Sequence, residues 1–499
     1  MQSNINPFEI ETGSNKLVRP KYIVLILAIS TFSALLISRL GVIGSIALIL
    51  IPFIAVYLNF IFRQPIIGLY SAIVLGFVLL GISRYVKNIP VGLAMDAILY
   101  LTFIALIFNK FKDKIDWSPA NKDITYLALI WFGYSIFELI NPEARSTAAW
   151  FSGRGVGLYM ILIVPLTLLF INSNRKLDLF FILWGIFSLL VSLKGIAQHF
   201  WGVDQWERAW LDEGNAQTHI LFGKLRSFSF LSDAGQFGAN QAYSAVVATI
   251  VSLVQKDGRK RLFFIIVAIL GFYGMILSGT RGALSIPVAG FMAFFVLRKN
   301  MGVMIFGICL LLTFFIFFKY TNIGQGNDQI RRMRTAFDPN DASLQVRLDN
   351  QKKLSVYLAS RPFGGGIGLG GVKAQKYLPN AFLSQVATDS GYVLVWVEEG
   401  VVGLLLFLFI LFYTISKASF HVMFRIRDPI LRIKMSALIA GMFGIMVANY
   451  GNAVLGQMPT SMLIYTSMAL MLNSEKFDVP LANSVVDTND ANRIQLQLN

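Results

Sequence analysis

Long apolar runs separated by short polar breaks fill the chain from residue 22 to residue 473. A bilayer core is crossed by about 20 apolar residues in a helix. A window of that kind marks about 14 candidate spans: 22–38, 41–62, 65–82, 92–108, 124–140, 156–171, 179–200, 237–254, 262–278, 283–297, 303–318, 391–415, 430–448 and 454–472. The pattern predicts an all-α polytopic membrane protein with its integral domain at 22–473 and cytoplasmic polar tails at 1–21 and 474–499. The first tail lacks the basic-then-apolar layout of a cleaved signal, so the first span reads as a retained anchor. The second tail, with Asp487, Thr488, Asn489, Asp490 and Asn492, reads as disordered.

The polar breaks differ in kind. One set holds the basic clusters: Lys110, Lys112 and Lys114; Arg175 and Lys176; Lys256, Arg259, Lys260 and Arg261; Arg298 and Lys299; Lys417, Arg425, Arg427, Arg432 and Lys434. Basic loops stay inside, which makes that side cytoplasmic. Most outer breaks are tiny, but 201–236 and 320–390 are long. The second carries Arg331, Arg332, Arg334, Arg347, Lys352, Lys353, Arg361, Lys373 and Lys376 against only Asp328, Asp338, Asp341 and Asp349. Long loops escape the positive-inside rule and meet anionic lipid, yet this one also shows signs of order. Asp341 is placed to cap a helix running to about Ser360, with Leu344, Leu348, Leu354 and Leu358 on one stripe and Pro362 beyond its end. The run Gly364-Gly365-Gly366-Ile367-Gly368-Leu369-Gly370-Gly371 follows, suited either to close approach of backbone N–H groups to an anion or to a hinge. The loop 320–390 reads as an active-site lid containing a short amphipathic helix.

Composition sharpens this picture. The chain of 499 residues is 56% hydrophobic and 14% charged, with a mean hydropathy of +0.63, a balance that no soluble fold hides from water. Cys309, the single cysteine, lies inside a span and reads as apolar packing; no disulfide framework is possible. His199, His219 and His421 pair with no cysteine or carboxylate at metal-ligand spacing, so no protein-bound metal is expected. His421 reads as solvated in a basic break and His199 as a headgroup contact; His219 keeps an active-site role in view.

Several residues carry candidate chemistry. Arg281, in Ser278-Gly279-Thr280-Arg281-Gly282, has almost no loop in which to leave the membrane edge. Facing lipid would cost at least ~2.5 kcal/mol, so it should face a wet cavity or an anion, and the turn adds N–H donors suited to phosphate oxygens. Arg226, before Ser227-Phe228, admits either a binding role or interfacial packing. Asp389-Ser390-Gly391-Tyr392 opens a span whose Glu398 and Glu399 are adjacent carboxylates among apolar residues. Such carboxylates should face a polar cavity or an arginine. Asp389, at the mouth, is the better candidate for a base that takes a proton from an acceptor hydroxyl. Asp96 and Lys194 read as internal polar partners.

Taken in order, Arg226-Ser227-Phe228, Ser278 to Gly282, Arg347 in an outer helix, Arg361-Pro362-Phe363 before glycines, Asp389 to Tyr392 and Gly400-Val401-Val402-Gly403 resemble the O-antigen ligase and Wzy-type O-antigen polymerase superfamily, over about 225–411. The resemblance implies a GT-C-like, metal-independent glycosyltransferase of the bacterial inner membrane, working on the periplasmic or exterior side in lipopolysaccharide or exopolysaccharide synthesis. Its donor would be a polyprenyl-diphosphate-linked oligosaccharide, and its acceptor a glycan hydroxyl or a lipid A core. By that resemblance Arg226, Arg281 and Arg347 hold the diphosphate. Arg361, Glu398, Glu399 and Tyr392 are further expected substrate contacts, and Asp389, Arg281 and Arg347 the expected catalytic set. No cofactor and no nucleic-acid partner are expected. Family ligases usually place a histidine near the position of Asp389 or Ser390, and its absence here favours a polymerase over a ligase. The rival class is a lipid-linked oligosaccharide flippase or other transporter. Transporters tend to show repeated halves, whereas this chain shows no internal repeat and gathers its polar residues in one half.

Overall fold

The apolar runs fold as helices throughout. The computed structural model describes residues 20–86, 91–109, 115–221, 223–326, 328–335 and 342–478. The basic group Lys110, Lys112 and Lys114, the proposed cap Asp341, the loop acid Asp338 and the residues beyond 478 lie outside them. Two units are distinct, 1–65 and 66–499. The first holds α1 (Pro20–Leu40) and α2 (Val42–Arg63), whose apolar side chains are largely exposed.

In the second unit the helices are α3 (Ile66–Tyr85), α4 (Val91–Asn109), α5 (Asp123–Phe137), α6 (Thr147–Gly153), α7 (Gly155–Phe170), α8 (Asn174–Trp201), α9 (Gln205–Trp210) and α10 (Ala216–His219). A small antiparallel hairpin follows, β1 (Ile220–Leu221) with β2 (Lys224–Leu225). Then come α11 (Ala234–Ser252), α12 (Gly258–Leu277), α13 (Ser285–Leu297), α14 (Met301–Tyr320), α15 (Asp328–Arg334), α16 (Ala342–Leu358), α17 (Phe382–Gln385), α18 (Gly391–Phe420), α19 (Pro429–Ala448) and α20 (Thr460–Leu472).

The centre of this unit is α11, packed by α12, α13 and α19. Glycines let these helices touch backbone to backbone. A Cβ on Gly290 would lie 2.9 Å from the Ala440 carbonyl oxygen, and one on Gly444 2.6 Å from that of Ile286. Hydrogen bonds between helices complete the packing, as expected where lipid provides no hydrophobic drive. The Gln241 side-chain oxygen accepts from Ser192 (2.8 Å) and Ser188 (3.1 Å), and Gln236 donates to Thr460 (2.8 Å).

Among the described residues, seven helices are long and apolar enough to cross a membrane, or eight if α6 and α7, bent by 41°, form one broken span. This is an all-α, multi-pass membrane protein. Fewer spans meet that length than the hydropathy pattern predicts, for physical reasons. Buried α11 is diluted by Gln236, Asn240 and Gln241, and α20 has only 13 residues because a turn replaces the start of the predicted span 454–472. At the other extreme α14 is 6% buried, and Cys309 on it is exposed rather than packed.

The expected internal partners are present. Asp96 pairs with Arg154, and Lys194 meets Glu207 at 3.1 Å and Asp204 at 3.3 Å. His421, expected to be solvated, is instead largely enclosed, 3.9 Å from Glu475. It lies beyond the end of α18 opposite Asp389.

The predicted amphipathic helix is α16. Leu354 and Leu358 enter a small core with Leu383, Val386, Val393 and Val397, whereas Leu348 is exposed. Helices α16, α17 and the start of α18 are thereby one packed block.

Candidate active site

The turn after α12 is shaped by its own short side chains. Ser278 donates its hydroxyl to the Met275 carbonyl (2.6 Å) and accepts the Thr280 N–H (3.1 Å). Gly279 takes the left-handed φ of 57° that such a reversal needs. Thr280 donates to the Ala234 carbonyl (2.9 Å), tying the turn to the start of α11, where Asp233 caps the Gln236 N–H (2.9 Å). Arg281 then opens a single 3-10 turn into α13.

Arg226 is stitched to this turn. Its Nε donates to the Ser278 carbonyl (3.0 Å), one terminal nitrogen to the Thr218 carbonyl (2.9 Å) and the other to Thr280 Oγ1 (2.9 Å). All three acceptors are neutral, so the guanidinium is oriented without being neutralised. The guanidinium of Arg84 lies over the adjoining rings of Trp210 and Phe228, 4.5 Å from each, and donates to the Ser229 (2.7 Å) and Leu231 carbonyls.

Helix α15 brings a further cation. Arg281 donates to Thr335 Oγ1 at 3.1 Å, just beyond α15, and Arg332 sits three residues before Thr335. Arg332 is half-buried, and its buried Nε has no hydrogen-bond partner among the described residues. Burial first, and then the charges of Arg332 and Arg281, lower Arg226 to about 10 against partial relief from Asp233. Arg332 is likewise lowered, first by burial and then by Arg281. Arg226 thus feels both of the other cations and Arg332 feels Arg281, and an anion placed among them would relieve that repulsion.

Arg347 and Asp389 approach the same turn from the α16 side. Arg347 Nε lies 3.8 Å from an Asp389 carboxylate oxygen. A Cβ on Gly451, just past α19, would stand 4.0 Å from Arg347 Nη1 and 3.8 Å from Gly282 Cα. Asp389 itself has φ 43°, a left-handed conformation uncommon outside glycine. Its position is held by the next residues, since Gly391 N–H and Ser390 Oγ both donate to the Asn449 carbonyl (2.8 and 3.3 Å).

The other predicted residues fall elsewhere. Arg361 pairs with Glu143 at 3.1 Å and covers the ring of Tyr357 at 4.1 Å. Tyr392 donates to the Met446 carbonyl at 2.7 Å, anchoring α18 to α19. Glu398 is enclosed by the glycine run. Gly370 N–H donates to its carboxylate (3.3 Å), while Gly365 and Gly366 donate to the Val397 and Glu398 carbonyls (2.8 Å each). The anion that the glycine run approaches is therefore the chain's own. The run fits because α18 breaks at Gly400, φ 69°, where a Cβ would lie 2.0 Å from the Pro362 carbonyl oxygen. Glu399, 5% exposed, gives its carbonyl to the Tyr134 hydroxyl (2.6 Å). Among the described residues neither glutamate forms an ion pair with an arginine.

Sequence reasoning left Arg332 unsingled among three closely spaced arginines, and gave Arg84 and Asp233 no role. His219 is buried between Trp210 and Phe228, its carbonyl holding the Arg226 N–H at 2.8 Å. It supports the site through the backbone. Among the described residues, no group of three or more His, Cys, Asp and Glu side chains is arranged to hold a metal ion.

Residues 243–408 match the family model described as O-antigen ligase, which bears out the resemblance to the O-antigen ligase and Wzy-type superfamily over that third of the chain. Arg281, Arg332, Arg347 and Asp389 fall within the matched segment, and Arg226 precedes it. No curated protein and no solved structure matches the chain.

Proposed function

From a segment of the O-antigen ligase superfamily set in a multi-pass helical protein, we propose a GT-C-like membrane glycosyltransferase. It moves a glycan from a polyprenyl-diphosphate donor to a glycan hydroxyl on the periplasmic or exterior face of the inner membrane. The observation that supports this most is the convergence of Arg226, Arg281 and Arg332, with Arg226 lowered by both of the others and Arg332 by Arg281, beside the Arg347–Asp389 pair.

In the reaction, the acceptor oxygen attacks the anomeric carbon as its proton passes to the Asp389 carboxylate. The bond from that carbon to the diphosphate oxygen breaks, and the diphosphate departs with the electron pair. Arginines positioned on the departing oxygens stabilise the charge that develops there, a role in which one preorganised donor contributes about 3 kcal/mol. Arg347 acts twice, holding Asp389 and facing the leaving group. Arg361, Glu398 and Tyr392 are assigned to the frame behind the site, because the side chain of each is engaged by the protein itself; Glu399 is bound there through its backbone carbonyl, while its buried Oε2 has no hydrogen-bond partner among the described residues.

We assign the activity to polymerisation of O-antigen or exopolysaccharide repeats, since no histidine stands at Asp389 or Ser390. Transfer to a lipid A core or another separate acceptor, the activity by which the matched family is described, is the second reading. Reconstitution with a polyprenyl-diphosphate oligosaccharide alone separates them. A ladder of longer glycans supports polymerisation. Conversion only after a second acceptor is added supports the ligase. Translocation without chemistry overturns both in favour of a transporter.

A further inference from the structure

A polar cavity is lined by none of Arg226, Arg281, Arg332 and Arg347. It measures about 490 Å³ and is bounded by Glu143 and Arg145, the glycine run, and the turn Leu378 to Leu383. One of its walls is a layered stack. The Arg361 guanidinium covers one ring at 4.1 Å, Tyr357, which stacks in turn on Phe382 with centroids 4.7 Å apart and planes 23° apart. Glu143 fixes the arginine at 3.1 Å, so the stack is anchored at its inner end. Its outer member, Phe382, is 40% exposed. The same cavity is lined by Glu143, Arg145 and Asn380, which carry carboxylate, guanidinium and amide groups, Arg145 lying 3.7 Å from Glu143.

A flat apolar face ringed by hydrogen-bonding groups matches a pyranose, which has an apolar C–H face and polar hydroxyls at its rim. Pocket volumes of this order suit small ligands. The spacing is fixed as well. Arg347 and Tyr357 lie on the same helix, ten residues or ~15 Å apart, and the shared core of α16, α17 and α18 holds both ends in one block. The Asn350 side chain adds a bond to the Ala387 carbonyl at 3.3 Å, close to Asp389.

We propose that this cavity is a carbohydrate subsite, holding a pyranose of the lipid-linked glycan several sugars away from the point of transfer. The inference rests on the glycosyltransferase reading for the identity of its ligand, and adds that the enzyme grips its glycan at a distance set by α16. Binding energy gained remotely serves to keep a long chain in place between transfers.

The test uses the full-length protein and the oligosaccharide released by mild acid from the cell's own polyprenyl-diphosphate glycan, free of lipid and phosphate. Phe382→Ala should weaken its binding about tenfold, and Asn380→Ala about threefold, the loss of one hydrogen bond. Asn380 is exposed, so its variant is informative even if Phe382→Ala folds poorly. Inorganic pyrophosphate should bind both variants as it binds the wild type, because the arginines are untouched. In the transfer assay both variants should raise KM for the glycan, leave kcat within about twofold and shorten the products. Equal glycan affinity in wild type and both variants overturns the subsite, even if transfer is observed. Weakened binding in the variants supports it, even if reconstitution yields no transfer, in which case the glycosyltransferase reading alone falls.

Discussion

Replacing Arg332 by alanine should weaken diphosphate binding about thirtyfold. The guanidinium is half-buried, its Nε is sealed from water without a hydrogen-bond partner among the described residues, and Arg281 is an electrostatic neighbour. At ~5 Å, with the effective dielectric of about 20 appropriate to a partly exposed site, one unit of opposite charge is worth roughly 3 kcal/mol. Solvent screening at a half-open position takes away up to half of that. The remainder, about 2 kcal/mol, corresponds to about thirtyfold in Kd. The measurement is calorimetric titration of the detergent-solubilised protein with farnesyl diphosphate, repeated at high salt, where the wild-type affinity should fall more steeply than that of the variant. Arg332→Lys should recover part of the loss, since it restores the charge without the planar fork. Arg331, exposed on the same helix, supplies the control. A change below about threefold in Arg332→Ala, or an equal loss in Arg331→Ala, refutes the claim that α15 delivers a specific ligand rather than general positive charge.

Three further outcomes are expected. Asp389→Asn should reduce turnover at least tenfold with donor affinity nearly unchanged; asparagine tolerates the left-handed φ of 43°, so an unaltered rate would remove the base role rather than expose a backbone defect. Gly400→Ala should lower the thermal midpoint, since φ 69° costs a side-chain-bearing residue about 1–3 kcal/mol and the Cβ would collide with the Pro362 carbonyl oxygen; an unchanged midpoint in a scanning thermal assay would show that the break in α18 can close. Burial holds His219 below the usual value of 6.5, so the unfolded chain takes up a proton that the folded protein refuses. Stability is then complete above that pH and declines as pH falls below it, and His219→Gln should flatten the slope between pH ~7 and pH ~5 in melting curves.

What was legible in the sequence follows a physical pattern. Arg281 stood out because chain constraint and chemistry coincide within five residues: two glycines bracket an arginine that has no room to leave the membrane edge. Asp389 stood out for the same reason, at the mouth of an apolar helix. The class of fold was legible because every span must satisfy its own backbone in lipid, which leaves long apolar runs few alternatives. Arg332 was not, because the run from Arg331 to Arg334 gives each arginine equal standing until the packing of α15 is known. Only then does Met333 prove to be in the core, Arg331 exposed and Arg332 beside Arg281.

The carboxylates show a different limit. Glu398 and Glu399 read as too costly to face lipid, and the expectation for them was a polar cavity or an arginine. Glu398 is met instead by N–H groups of the glycine run, and backbone donors carry no mark in a sequence. Arg361 is held by Glu143, more than 200 residues away and with no local sign of the pairing. Side chains taken up by such distant partners build the wall of the cavity beside Phe382, whereas Arg226 meets only neutral acceptors and Arg332 keeps an unpartnered Nε among the described residues. Whether a charge has been answered by the protein itself is therefore what separates frame from site. On the proposed function the loop 320–390 contributes Arg332 by that criterion, and Arg347 and Asp389 as a pair beside the same turn, while Arg361 belongs to the architecture.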